Sequence, residues 1–284
     1  MEIATAATGP LWLQLHWLKR CDLPVDLIRR AGAAGFRALV LTVDAPRVAF
    51  CPRDAANGFA VPSGIRAVDV AHDVMAASHG SRDAESAVAR RSEEQFDASI
   101  TWEVLARLRE VTSLPLVLKD VLTGEDAELA VKHGVSGLVV SDHGGRRLDF
   151  SRSAPDALPE IVDAVAGQCA VVLDGGVRHG ADIAKTLCPG ADAVMVGRPA
   201  LWELVHSGAE GVADVLRLLV GEFEEVMALM GAPTVADFER SGVVLPGGAR
   251  FSPCRRASTR TPEGALSYGR WERGVSRAAR SAAG

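Results

Sequence analysis

The chain has 284 residues, 48% of them hydrophobic, with a mean hydropathy of +0.13; this is ample for a large core and excludes disorder over most of the length. Eight Arg and two Glu give residues 249–284 a charge of +6 and leave −11 on the rest, an acidic body that argues against nucleic acid as a partner. No apolar run reaches membrane-spanning length, no basic segment leads into an apolar one at the N-terminus, and the five cysteines are scattered without a C-x-x-C. No membrane and no metal site are expected, and the location expected is a reducing cytoplasm.

Taken in order, the first strand is expected at Leu11–His16, followed by a helix over Pro24–Ala34 that Gly35 stops. A second strand covers Ala38–Val43. Residues 46–97 are irregular and polar, too long for a simple strand-to-helix loop, and read as a mobile insertion over the active face. Alternation resumes with a helix at Thr101–Val111 and a strand at Pro115–Lys119. Thr123 before Gly124-Glu125-Asp126 looks like a helix N-cap with an acidic first turn, and Gly134 closes that helix. The strand Gly137–Ser141, a helix over Pro155–Ala166, the strand Ala170–Asp174, a helix over Gly180–Leu187, the strand Ala193–Gly197 and a helix over Gly211–Met230 complete the series.

Strands and helices alternating with short connections mean parallel strands joined by right-handed crossovers. The six strands are two short of a closed eight-stranded α/β (TIM) barrel. A doubly wound sheet is disfavoured because no G-x-G-x-x-G turn follows the first strand. Residues 1–247 are therefore expected to form a partial barrel, and residues 248–284 a basic, disordered tail.

Chemistry in such folds sits at the C-terminal strand ends. The stretch GLVVSDHGGRRLD, residues 137–149, ends a buried strand in a turn holding His143, two Gly and Arg146. His143 can move a proton near neutral pH, and Arg146 can grip an anion through paired hydrogen bonds; the alternative is an ordinary surface turn. Lys119 at the end of an apolar strand needs an anionic partner or a function, whether the electron-rich end of a flavin or a pairing with Asp120 or Asp44. Gly175 and Gly176 after one late strand, and Gly197-Arg198 after the next, suit a phosphate bound by backbone N–H groups and a helix N-terminus.

These motifs, LPLVLKDVLTGEDAELAVKHGVSGLVVSDHGGRRLD, VVLDGGVRHGADIAKTL and GADAVMVGRPALW, with LQLHWLK and TVDAPR upstream, occur in one order. Over roughly residues 2–245 the chain resembles the FMN-dependent 2-hydroxy acid oxidases and dehydrogenases, the 4-hydroxymandelate oxidase-like branch most of all. The resemblance implies a barrel lacking its first two strands, FMN as cofactor, and oxidation of a small 2-hydroxy acid, mandelate or 4-hydroxymandelate among the candidates, to the 2-oxo acid. It implies that His143 takes the substrate proton, that Asp44 orients His143, and that Arg146 binds the substrate carboxylate with His16 nearby. Gln14, Thr42, Lys119 and Ser141 would contact the flavin ring and Asp174 its ribityl chain. Gly175, Gly176, Arg178, Gly197 and Arg198 would surround its phosphate. A homotetramer is also implied.

The chain departs from the family pattern ahead of Gln14, where the first two strands and a substrate-binding Tyr are lacking. His16 stands where the family carries a second Tyr, and Phe50-Cys51 stand where it carries an Arg pair. These departures keep open a non-catalytic remnant that binds FMN or phosphate weakly. An isomerase of isoprenoid diphosphates would share the phosphate turns but has no use for the His143–Arg146 pair.

Overall fold

The structure is a computed structural model that describes residues 2–19, 22–46, 56–57 and 97–244; the expected insertion lies almost wholly outside these residues, and the basic tail entirely so. Strand β1 (Trp12–His16) is preceded by a short helix α1 (Glu2–Ala6) and followed by α2 (Asp22–Ala33) and β2 (Ala38–Thr42). Then come α3 (Glu103–Val111), β3 (Leu116–Val121), α4 (Gly124–Lys132), β4 (Gly137–Ser141), α5 (Ala154–Val165), β5 (Ala170–Asp174), α6 (Gly180–Leu187), β6 (Ala193–Met195) and α7 (Arg198–Met230). The six strands pair in parallel in sequence order, β1 through β6, each with the next along the chain. This is part of a TIM barrel, and it agrees with the strand-helix alternation of the sequence.

Period-two alternation divides the strands between two cores. Leu39, Leu41, Leu116, Leu118, Leu138, Val140, Val171 and Leu173 face the helices and pack with residues such as Ile28, Leu108 and Ile161. Ala38, Val40, Val117, Val139 and Val172 form the opposite, inner face, with Trp12 and Ala193 beside them. The strands are therefore buried on both faces, which is why they read as continuous apolar runs. One step further along, the inner face turns polar: Thr42 lies in register with Lys119, and Ser141 with Asp174. This change of chemistry at the strand ends positions the site.

Helix starts are fixed by side chains. The Thr123 hydroxyl accepts from Asp126 N at 3.2 Å, as the N-cap motif indicates. The carboxylate of Glu160, on α5, accepts from Gly124 N at 2.7 Å, and that of Glu222, on α7, from Gly180 N at 2.7 Å. Helix α7 begins well before the expected Gly211 and bends at Gly208, whose φ of 65° breaks the helical path. Strand β6 correspondingly stops at Met195, which leaves Gly197 as the cap of α7. Among the described residues no helix is long and apolar enough to cross a membrane.

Helices α6 and α7 meet so closely that a Cβ on Gly180 would lie 2.2 Å from Phe223 N and 2.3 Å from the carbonyl carbon of Glu222. The obstacle is backbone, which cannot step aside as a side-chain tip does. Gly180→Ala is therefore expected to cost about 2–3 kcal/mol of folding stability, measured by denaturant unfolding. An unchanged midpoint would mean that α7 does not press on α6.

Candidate active site

The site is assembled from the inner-face residues at the ends of β1–β5 and the loops that follow them. Lys119, on β3, is mostly enclosed, its side chain 12% exposed. A buried ammonium requires partners, and Lys119 has three: Asp120 Oδ1 at 2.6 Å, Ser141 Oγ at 3.2 Å and Asp174 Oδ2 at 3.4 Å. Of the two pairings the sequence left open, Asp120 is the one formed. Ser141 also donates to Asp174 at 2.8 Å and accepts from His143 N at 3.0 Å, so the expected cofactor contacts Lys119, Ser141 and Asp174 form one network. On the β1 side, Gln14 Nε2 donates to Thr42 Oγ1 at 2.7 Å and lies 3.3 Å from His16 Nε2.

His143 and Asp44 come together at the ends of β4 and β2. The imidazole Nδ1 is 3.0 Å from Asp44 Oδ1 and 3.1 Å from Oδ2. A second carboxylate joins them, with Asp120 Oδ2 3.2 Å from the same nitrogen. Hydrogen bonds to Asp120 and then Asp44, working against burial, push the His143 pKa up to about 9. Burial raises the pKa of Asp120, but hydrogen bonds from His143 and Lys119 outweigh it and hold that group at about 2. Asp44 moves the other way: its burial and the nearby charge of Asp120 raise it, although the bond to His143 pulls it down. His16 is lowered to about 4, first by burial and then by the positive charges of Arg147 and His143, so its ring is neutral at pH 7.

The two arginines of the loop separate. Arg146, expected at the substrate carboxylate, is exposed, whereas Arg147 turns back so that its Nε lies 3.7 Å from Asp44 Oδ1. Arg198 reaches from the start of α7 across the same loop: a Cβ on Gly144 would meet its Nη2 at 2.9 Å. Gly144, with φ of 66°, is favoured there by its left-handed backbone. Asp142 Oδ1 accepts from Gly144 N at 2.8 Å. Around the expected phosphate turns, nothing stands within 4 Å of a Cβ built on Gly176 or Gly197, and the strands preceding them are adjacent, with Asp174 in register with Met195. Arg178 turns toward α7, its guanidinium 5.2 Å from the Trp202 ring centre and its Nη1 donating to Val177 O.

Sequence reasoning placed Asp120 only as a partner for Lys119 and gave no role to Arg147. The signal for Asp120 was a second acidic residue at a strand end beside a buried Lys. For Arg147 no signal distinguished it from its neighbour.

With this geometry the likeness to known proteins is specific. The chain is 43% identical to the 4-hydroxymandelate oxidase of Amycolatopsis orientalis over 245 residues, covering 86% of this chain and 68% of that protein. It is 43% identical to the L-lactate oxidase of Nostoc over 230 residues, covering 81% and 63%. A crystal structure of mandelate oxidase with (S)-4-hydroxymandelic acid superposes with a TM-score of 0.79 at 43% identity, covering 84% of this chain and 66% of that one. The chain thus spans about two thirds of the length of these relatives. The family of FMN-dependent dehydrogenases matches residues 1–245; with the strand-end residues placed as described, the chain belongs to that family.

Proposed function

We propose that the chain oxidises a small 2-hydroxy acid to the 2-oxo acid with FMN as cofactor. One observation carries the reading: a histidine with carboxylates on its Nδ1 stands in the same strand-end layer as a buried ammonium and a pair of open glycine turns. The donors fit FMN. The Gln14 amide and Thr42 hydroxyl suit the polar edge of the ring, Lys119 the end that gains negative charge, and Ser141 and Asp174 the region between ring and ribityl hydroxyls. The N–H groups of Gly175, Gly176 and Gly197, the start of α7 and Arg198 suit a phosphate, with Arg178 at the margin. When bound, FMN accepts the two electrons that leave substrate C2.

The chain's own part is proton handling and placement. The described hydrogen bonds of the His143 ring all use Nδ1, which fixes Nδ1–H as donor to the carboxylates and leaves Nε2 to take a proton from the substrate. Two carboxylates stabilise the imidazolium that results. Exposed Arg146 would bind the substrate carboxylate, and neutral His16 would border the substrate without adding charge. The names of the relatives, 4-hydroxymandelate and lactate oxidases, support mandelate or 4-hydroxymandelate as substrate, with smaller hydroxy acids next. A buried free thiol at Cys188 supports a reducing compartment such as the cytoplasm, and exposed Trp202, Leu204 and Val205 on α7 support assembly with further copies of the chain.

A visible absorption spectrum tests the proposal: the purified chain with FMN should show bound flavin that bleaches on anaerobic addition of mandelate. His143→Ala should keep the bound flavin and slow bleaching at least ~100-fold, whereas Lys119→Ala should weaken flavin binding about tenfold. Bound flavin that stays oxidised with every hydroxy acid offered would overturn the reading.

The pH dependence has a definite sign. His143 accepts a proton only when neutral, and its pKa is raised to about 9. Below that value kcat/KM for flavin reduction should climb about tenfold per pH unit and then level off. A rate that is flat between pH 7 and pH 9 would remove His143 as the base.

A further inference from the structure

Strand β3 does not end regularly. Lys119 is in register with Val139, but the next residue to pair is Val121, with Val140, and the residue skipped is Asp120. Its φ of 77° is left-handed, as is the 56° of His143; such conformations in residues other than glycine cluster at functional sites. The bulge has a directional effect. Leu116, Leu118 and Val121 face the helices, and Val117 the inner core. Regular alternation would send residue 120 outward with Leu118. The bulge instead returns its carboxylate to the side of Lys119.

There the carboxylate, 1% exposed, has its two oxygens on two different cationic partners: Oδ1 with Lys119 Nζ at 2.6 Å and Oδ2 with His143 Nδ1 at 3.2 Å. Asp44, the other carboxylate on that nitrogen, reaches it from the loop after β2 and is further engaged by Arg147. One side-chain ligand atom each from Asp44, Asp120 and His143 lies within 4.8 Å of the other two.

We propose that Asp120 is a positioning residue that ties the proton-accepting ring of His143 to the ammonium of Lys119 through one shared carboxylate. This rests on the reading of the site given above. The link has two effects. It holds Nδ1 against two carboxylates rather than one, which strengthens Nε2 as a proton acceptor. It also offsets part of the Lys119 charge, so the cation that would meet a bound flavin is softened by the same group that orients the base. The charges around His143 are Asp44 from the β2 loop, Asp120 and Lys119 from β3, His16 from β1 and Arg147 from its own loop, with Asp174 of β5 acting through Lys119.

The test is an NMR pH titration of the histidine side chains in the full chain, with His143→Gln to identify the His143 signal. The wild-type midpoint is expected near 9. In Asp120→Asn the ring keeps one charged carboxylate of two, and its proton affinity should fall ten- to a hundredfold, moving the midpoint down by one to two pH units. Asp120→Gly, which suits the left-handed backbone, should give the same shift and serves if the Asn variant does not fold. The acid limb of kcat/KM in the flavin-loaded protein should move in the same direction. A midpoint that stays in place in the folded variant overturns the role of Asp120. The titration needs neither flavin nor turnover, so a shifted midpoint in a chain that never reduces flavin would sink the oxidase reading and leave the Asp120 link standing.

Discussion

A lysine ammonium enclosed at the end of β3 governs the layer above the barrel interior. Burying it without counter-charge would cost several kcal/mol, so the surrounding strand ends must supply anions and acceptors. They do so from three directions: Asp120 beside it, Ser141 across on β4 and Asp174 on β5. Each partner is then committed elsewhere as well, Ser141 to the backbone of His143 and Asp120 to its ring. The geometry of the histidine is thereby inherited from the neutralisation of a neighbouring strand's lysine.

That layer rests on a rule of the sheet. Inner-facing positions are Ala and Val through the middle of the strands and become Thr, Lys, Ser and Asp at their C-terminal ends. Because the strands are parallel and in sequential order, every such change falls on one rim. An apolar base beneath and a polar rim above give ionisable groups a low-dielectric floor, which is why burial appears among the forces on His16, Asp44, Asp120 and His143 together.

Much of this was legible in the chain. Leu138–Val140 and Val171–Leu173 read as strands because both faces are buried, and Thr123 read as a cap because its hydroxyl has one sensible acceptor role. That His143 and Asp44 belong together was implied by the family resemblance, and Lys119, Ser141 and Asp174 stood out at strand ends, although their contacts with one another did not. What escaped had a physical cause. Asp120 faces inward only because a bulge overrides period-two alternation, and alternation is all a sequence offers. Arg146 and Arg147 are chemically equal neighbours, and their division depends on left-handed turns at His143 and Gly144. The first part of α7 escaped because Gly208 and Gly211 look like a loop, whereas the chain bends there and continues.

The two glutamates that reach back to helix starts have a consequence for how this sequence can vary. Glu160 holds Gly124 N, and Glu222 holds Gly180 N, each from the following helix. At Gly180 a Cβ would strike the backbone at Glu222 itself, whereas at Gly124 it would stand 3.2 Å from the tip of Glu160, which can yield by a few tenths of an ångström. At Gly180 the small residue and the acid are therefore one trait written at two positions 42 residues apart. Neither can drift alone. A larger first residue displaces the carboxylate, and loss of the carboxylate leaves an unanswered N–H at the mouth of the helix. Exchange between related barrels would succeed for the pair as a unit, so the heritable module here is a strand with its helix and the opening turn of the helix before it.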